Sequence, residues 1–146
     1  MQVFERVLMV CVGNICRSPT AEIILRHRLQ GRPVQVASAG LAALSGQGID
    51  PAAQEQLLRH GLPADGHVAK QLDAGMLAAA DLILVMEKSH VDAIDRMAPH
   101  VRGKTFLLGK WQGNQPIPDP YRKPQAAFEL AYQMIDAAIE RWRVHL

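Results

Sequence analysis

At 146 residues, with 49% apolar and 21% charged side chains, the chain has the size and balance of one globular domain that folds without a disulfide or metal staple. A formal charge of +2, with no run of lysine and arginine, gives no ground for a nucleic-acid partner. No apolar stretch approaches the roughly 20 residues of a membrane span, and Met1-Gln2-Val3-Phe4-Glu5-Arg6 is not a leader peptide, so no membrane insertion and a cytoplasmic location are expected.

Val7-Leu8-Met9-Val10 is a continuous apolar run and predicts a strand buried on both faces. Ser18-Pro19 then marks a helix start, with Ser18 as cap and Pro19 at the first helical position, and Gly31 and Pro33 stop it. Val34 to Ala37 forms the second strand and leads into a small-residue loop from Ser38 to Gly48. Asp50-Pro51 opens a helix that Gly61 and Pro63 close, and Asp73 begins another. Leu82-Ile83-Leu84-Val85-Met86 is the clearest buried strand. A helix from Val91 to Met97 ends at Pro99, and Thr105 to Leu108 is the fourth strand. A polar, proline-bearing loop runs from Gly109 to Pro124, before a last helix over Gln125 to Val144.

Strands alternating with helices, without repeats or linkers, predict a single α/β domain over residues 1–146: a four-stranded parallel sheet with helices on both faces. Ligands of such sheets lie beyond the carboxyl ends of the strands. The turn after the first strand, Cys11-Val12-Gly13-Asn14-Ile15-Cys16-Arg17-Ser18, is therefore the expected phosphate-binding loop.

Its chemistry supports that. A strand-loop-helix crossing aims backbone N–H groups of Val12, Gly13, Asn14, Ile15 and Cys16 at one spot, and the helix dipole adds to them. Gly13 and Asn14 tolerate the left-handed backbone of a tight curl. Arg17 brings a planar fork suited to two phosphoryl oxygens. Cys11 would lie on the floor of the cradle, where the same donors stabilise a thiolate nucleophile, and Ser18 is placed to hydrogen-bond its sulfur. A buried core thiol beside a surface arginine is the ordinary alternative for either residue alone. Their conjunction at a strand-to-helix turn weighs against it.

Departure of an alkoxide or phenolate from phosphorus needs a proton donor, and Asp119, stiffened by Pro118 and Pro120, is the best candidate. Tyr121, Leu44 and Trp111 are candidates for a substrate-gripping rim, although Trp111 could equally pack beneath its loop. His27, His90 and His100 read as solvated surface positions, and His60 as lying near a helix end. No histidine has ligand spacing with another His or Cys, so no metal and no cofactor are expected. Cys16 either captures an oxidised Cys11 or packs against the first helix.

Cys11 to Glu22 resembles the signature of the low-molecular-weight protein tyrosine phosphatases. Ser38-Ala39-Gly40, His60-Gly61-Leu62, His67-Val68-Ala69-Lys70-Gln71 and Asp119-Pro120-Tyr121 extend the match over nearly the whole chain. The resemblance implies hydrolysis of phosphotyrosine through a cysteinyl-phosphate, with Asp119 as acid and then base. It also implies that Asn14, Ser38 and His67 support the loop. Ile117 to Lys123 and the loop Gly40 to Gly48 further resemble a bacterial branch associated with exopolysaccharide export. That branch implies a phosphotyrosine-bearing partner such as a membrane tyrosine autokinase. Many relatives carry a second tyrosine where this chain has Arg122, so a phosphorylation-controlled tyrosine pair is not expected.

Three other functions fail on the residues. Gly103-Lys104-Thr105 lacks the first glycine of a nucleotide loop and precedes a strand. Cys11 and Cys16 are not spaced as a thioredoxin-like pair, and an arsenate reductase would need cysteines after Cys16. A noncatalytic phosphotyrosine-binding module is the alternative from another class, and it would lack the nucleophile or the acid.

Overall fold

The computed structural model describes residues 4–146; Met1, Gln2 and Val3, part of the leader assessment, lie outside the described residues. Four parallel strands, β1 (Arg6–Cys11), β2 (Gln35–Gly40), β3 (Leu82–Val85) and β4 (Thr105–Leu107), form one sheet in the order β2-β1-β3-β4. The expected fold class is the observed one. Each strand runs within a few residues of its expected bounds, and β2 extends to Gly40 because Cys11 at the end of β1 pairs with it.

The apolar run in β1 is continuous because both faces are covered. Side chains alternate along a strand, so Val7, Met9 and Cys11 enter one core while Leu8 and Val10 enter the other. The first core is closed by helices α1 (Arg17–Arg28), α2 (Pro51–Arg59) and α5 (Gln125–Arg143), through Ile24, Leu25, Leu57, Ile135 and Ile139. The second is closed by α3 (Ala74–Ala79) and α4 (Lys88–Met97), through Leu77 and Ile94. Removing the side chain of a fully buried Ile or Leu from either core costs about 2–5 kcal/mol.

Asp50 and Asp73 cap α2 and α3 as their sequence positions predict, accepting from the N–H groups of Ala52 and Met76 at 2.8 Å each. Ser18 does not cap α1. The helix begins at Arg17, its cap position is Cys16, and no side chain caps it. The Ser18 hydroxyl is turned instead toward Cys11 and Asn14. Helix α4 begins at Lys88, three residues before the expected Val91, and this places His90 in its first turn over the end of the sheet. His90 is 3% exposed, which overturns its expected surface position. Pro99 ends α4 but opens a 3-10 segment, Pro99–Lys104, that leads into β4.

The crossover from β1 through α1 reaches β2 on one side of β1; the next returns to β3 on its other side. The strand order therefore reverses at β1, and a crevice opens at its carboxyl end. Cys11 is the last residue of that strand. Among the described residues, no helix is long and apolar enough to cross a membrane.

Candidate active site

Each carbonyl from Cys11 to Cys16 is tied to the surrounding scaffold. Those of Cys11, Val12 and Gly13 accept from the N–H groups of Leu41, Ala42 and Leu44 at 2.9, 2.9 and 3.0 Å. The Asn14 carbonyl accepts from His67 Nε2 at 2.7 Å, that of Ile15 from Asp50 N at 2.8 Å, and that of Cys16 from Thr20 Oγ1 at 2.7 Å. In a trans peptide a carbonyl and the following N–H point in opposite directions. Anchoring the carbonyls outward thus turns the N–H groups of Val12 to Arg17 away from the scaffold. Among the described residues, those of Gly13, Asn14, Ile15 and Cys16 meet no protein acceptor. Convergent free N–H groups at a helix start form a cradle for a tetrahedral oxyanion.

Asn14 takes the expected left-handed backbone, with φ 59°. Gly13 does not, and an added methyl there would sit at ordinary distance, 3.7 Å from Ile15 and 3.9 Å from Leu44. The glycine that the loop requires is Gly40 at the end of β2. A Cβ on it would lie 2.5 Å from the Val12 carbonyl oxygen.

Beneath the cradle, hydrogen-bond directions are fixed by elimination. The Lys70 N–H can only donate, and it donates to Asn14 Oδ1 at 3.0 Å, so the Asn14 amide nitrogen faces the other way. That nitrogen donates to Ser18 Oγ at 2.8 Å and to Ser38 Oγ at 2.9 Å. Ser38 passes its own hydrogen to Glu22 Oε1. Ser18, already accepting from Asn14, has its hydrogen free for Cys11 Sγ, 2.8 Å away. The network is fully buried around Asn14, Ser18 and Ser38, where an unmet donor would be costly. Asn14 and Ser38 are thus bonded to each other beneath the loop, and His67 bonds its Asn14 carbonyl.

Arg17 is 2% exposed. Its Nη1 donates to Glu87 Oε2 at 2.7 Å and to the Ile117 carbonyl at 2.8 Å, while Nη2 lies 3.8 Å from Asp119 Oδ2. Two bonds on one nitrogen fix the plane of the guanidinium. Glu87, which sequence reasoning missed, is the cap residue of α4 and immediately follows Met86 after β3. The signal for it was available: a carboxylate at the carboxyl end of a buried strand.

Asp119 has a half-exposed side chain and accepts from the Tyr121 N–H at 3.1 Å, an Asx turn that orients it. Cys11, Val12, Gly13, Ile15, Cys16, Arg17, Ala42, Leu44, Asp119 and Tyr121 together line a cavity of about 160 Å³. Leu44 and Tyr121 are therefore on its rim. Trp111 is not: its ring stacks on His145 at 4.3 Å and meets Trp142 edge-on at 5.4 Å, so it packs against the end of α5. A wider groove of about 560 Å³ runs beside α1, past Arg26, Leu62 and Lys70, but it contains neither Cys11 nor Arg17. The smaller cavity is the one that holds both of them.

Cys16 is buried, and its thiol is pushed well above the usual range, first by burial and then by the charges of Asp50, Cys11 and Asp119. It is a neutral thiol at the edge of the site. Among the described residues, no group of three or more His, Cys, Asp and Glu side chains could hold a metal ion.

Over residues 6–146 the chain matches the family model described as low molecular weight phosphotyrosine protein phosphatase. It is 46% identical over 139 residues to the low molecular weight protein-tyrosine-phosphatase Wzb of Salmonella typhimurium, covering 95% of this chain and 92% of that protein. The fold superposes on Vibrio vulnificus Wzb, solved in complex with benzylphosphonate, with a TM-score of 0.94, 45% identity and coverage of 98% and 99%. A more distant solved neighbour is the YwlE arginine phosphatase from Geobacillus stearothermophilus, with a TM-score of 0.87, 34% identity and coverage of 94% and 89%. With a family match over nearly its whole length and relatives this similar, the chain belongs to the low molecular weight phosphotyrosine protein phosphatase family.

Proposed function

We propose that the chain hydrolyses phosphotyrosine in proteins through a cysteinyl-phosphate on Cys11. The observation that carries this is the buried sulfur at the start of a main-chain cradle, with a hydroxyl hydrogen directed at it over 2.8 Å. The phosphoryl oxygens take the loop N–H groups and the Arg17 fork. Sγ attacks phosphorus in line as the ester P–O bond breaks, and Asp119 gives its proton to the departing phenolate oxygen. In the second step Asp119, now a carboxylate, takes a proton from water; the hydroxide oxygen attacks phosphorus and the P–S bond breaks. Ser18 stabilises the departing thiolate, and inorganic phosphate leaves.

A phosphorylated guanidine is the competing substrate class, since an arginine phosphatase shares the fold. The rim supports the aromatic ester: Val12, Ile15, Ala42, Leu44 and Tyr121 give the cavity apolar walls, and Asp119 is its one carboxylate. A phenyl ring fits such walls, whereas a second guanidinium would leave its donors unmet. The proposed protein partner is a bacterial tyrosine autokinase or another exopolysaccharide-biosynthesis protein. It rests on the resemblance of residues 40–48 and 117–123 to that branch and on the similarity to Wzb.

Acid quench during turnover of a phosphotyrosine peptide should trap phosphate on the Cys11 peptide, detected by mass spectrometry. A phosphoarginine peptide should be turned over far more slowly. Absence of a trapped phosphocysteine during active turnover would sink the mechanism, and preference for phosphoarginine would overturn the substrate class. No turnover with tight phosphate binding would mark a binding module.

A further inference from the structure

Arg17, which lines the same cavity as the loop, is bonded to a carboxylate, and that carboxylate is itself in contact with a buried imidazole. Glu87 Oε2 accepts from Arg17 Nη1 at 2.7 Å and lies 3.5 Å from His90 Nε2. Its side chain is 39% exposed, so water reaches one side of it, and Arg17 and His90 hold the other. His90, one turn further along α4, is 3% exposed, and its Nδ1 is buried without a hydrogen-bond partner. Nothing in the hydrolysis mechanism uses it. A histidine buried with one nitrogen orphaned carries a desolvation cost, and the contact that offsets it points at the support of the clamp.

We propose that His90 is a positioning residue for phosphoryl binding: as a neutral imidazole it donates from Nε2 to Glu87 and holds that carboxylate against Arg17, so that the guanidinium stays aimed at the cradle. This rests on the proposed role of Arg17. The tautomer follows from the partners. A carboxylate only accepts, so Nε2 carries the hydrogen and the orphaned Nδ1 keeps its lone pair. Protonation would place an unmet N–H in the interior and set a second cation beside Arg17, competing for the same carboxylate. The charged groups facing the ring are Arg17 from α1, Glu87 from the cap of its own helix and Asp119 from the long loop after β4. Burial first, and Arg17 second, lower its affinity for a proton, against Glu87 and Asp119.

The test compares His90→Leu, which keeps apolar volume but no donor, with His90→Gln, whose amide nitrogen reaches the place of Nε2. The probe is inorganic sulfate as a competitive inhibitor, because its charge is constant across the pH range. Above neutral pH, His90→Leu should weaken sulfate about fivefold to tenfold, the scale of a lost ordinary hydrogen bond, and His90→Gln should restore most of it. In a Glu87→Gln background, His90→Leu should add little. The inference is overturned by unchanged sulfate inhibition in His90→Leu, by equal losses in the Gln and Leu variants, or by additive losses in the Glu87→Gln background. Should His90→Leu fail to fold, His90→Gln in the presence and absence of Glu87→Gln keeps the test: additive losses still overturn it. Isothermal titration with sulfate reads the same affinities without turnover, so failure of the phosphotyrosine activity and failure of this inference are separable.

Discussion

The loop that carries Cys11 and the loop that carries Asp119 meet in one cavity but are built on different terms. In the first, the carbonyls of residues 11 to 16 are all bonded to the scaffold, and Asn14, Arg17 and Ser18 are almost wholly buried. In the second, Tyr121 and Arg122 are exposed, Arg122 has a left-handed φ of 62°, and Asp119 is held by one backbone bond and a 3.8 Å contact with Arg17. A tightly cross-linked segment holds atoms to a fraction of an ångström, as in-line attack requires. A lightly tethered one can leave and return, as a proton donor that first meets a phenolate and then a water must. In the proposed mechanism phosphate affinity and proton transfer fall to separate parts of the chain, which single substitutions should be able to pull apart.

The largest effect should come from Cys11→Ser, which removes the nucleophile and leaves the cradle in place. Steady-state hydrolysis should fall to the background while sulfate or phosphate still binds; appreciable turnover would remove Cys11 from its role. Asp119→Asn should lower kcat for phenyl phosphate by roughly 10²–10⁴, the worth of a positioned acid. With a nitrophenyl ester, whose phenolate hardly needs the proton, the loss should be much smaller. Equal losses on the two esters would show that Asp119 is structural and that the two loops are not independent.

A smaller effect, confined to the first loop, is expected of Gly40→Ala. Its methyl would meet the Val12 carbonyl oxygen at 2.5 Å, and backbone cannot yield cheaply on either side. The variant should lose on the order of 1–3 kcal/mol of stability, as overpacked sites do, and weaken phosphate binding. Chemical denaturation and phosphate inhibition measure both; an unchanged midpoint and inhibition constant would contradict the close packing.

The smallest effect on basal rate is expected of Cys16→Ser. Peroxide should oxidise the Cys11 sulfur to a sulfenic acid, its thiolate displacing hydroxide from the peroxide, and the Cys16 thiol should condense with it to a disulfide with loss of water. A thiol reductant should then restore wild-type activity, whereas Cys16→Ser should over-oxidise and recover poorly. Because Cys16 is held protonated by burial and neighbouring charge, the condensation should quicken as pH rises, as more of it becomes thiolate. Equal recovery of the two proteins would assign Cys16 to packing alone.

What was legible in the sequence is what neighbours in the chain decide. Val7 to Val10 is apolar throughout because both faces of β1 are covered, and Asp50 and Asp73 announce helices whose N–H groups they cap. Cys11, Arg17 and Asn14 lie in one turn, so their convergence could be read from spacing. Glu87 could be read only as a carboxylate at the end of a buried strand, and the pairing of Glu87 and His90 with Arg17 could not be read at all. Their nearness to Arg17 depends on β3 lying beside β1, a fact of strand order that no local pattern contains. Ser18 misled as a cap for a related reason: its hydroxyl has a better use across the loop than along the helix. Trp111 sits in the right loop but faces α5, which only tertiary packing determines.

The outward anchoring of the carbonyls has a consequence for how the site can vary. A binding surface made of main chain has no side chain to delete, so oxyanion affinity survives most replacements between Cys11 and Arg17 that keep the backbone path. The side chains that radiate from it are then free to change. Val12 is 40% exposed at the rim, and Leu44 bonds the loop through its backbone N–H while its side chain packs beside Ile15 and Cys16. If the proposed function holds, exchanging these two should alter which ester is accepted while the main-chain donors stay in place.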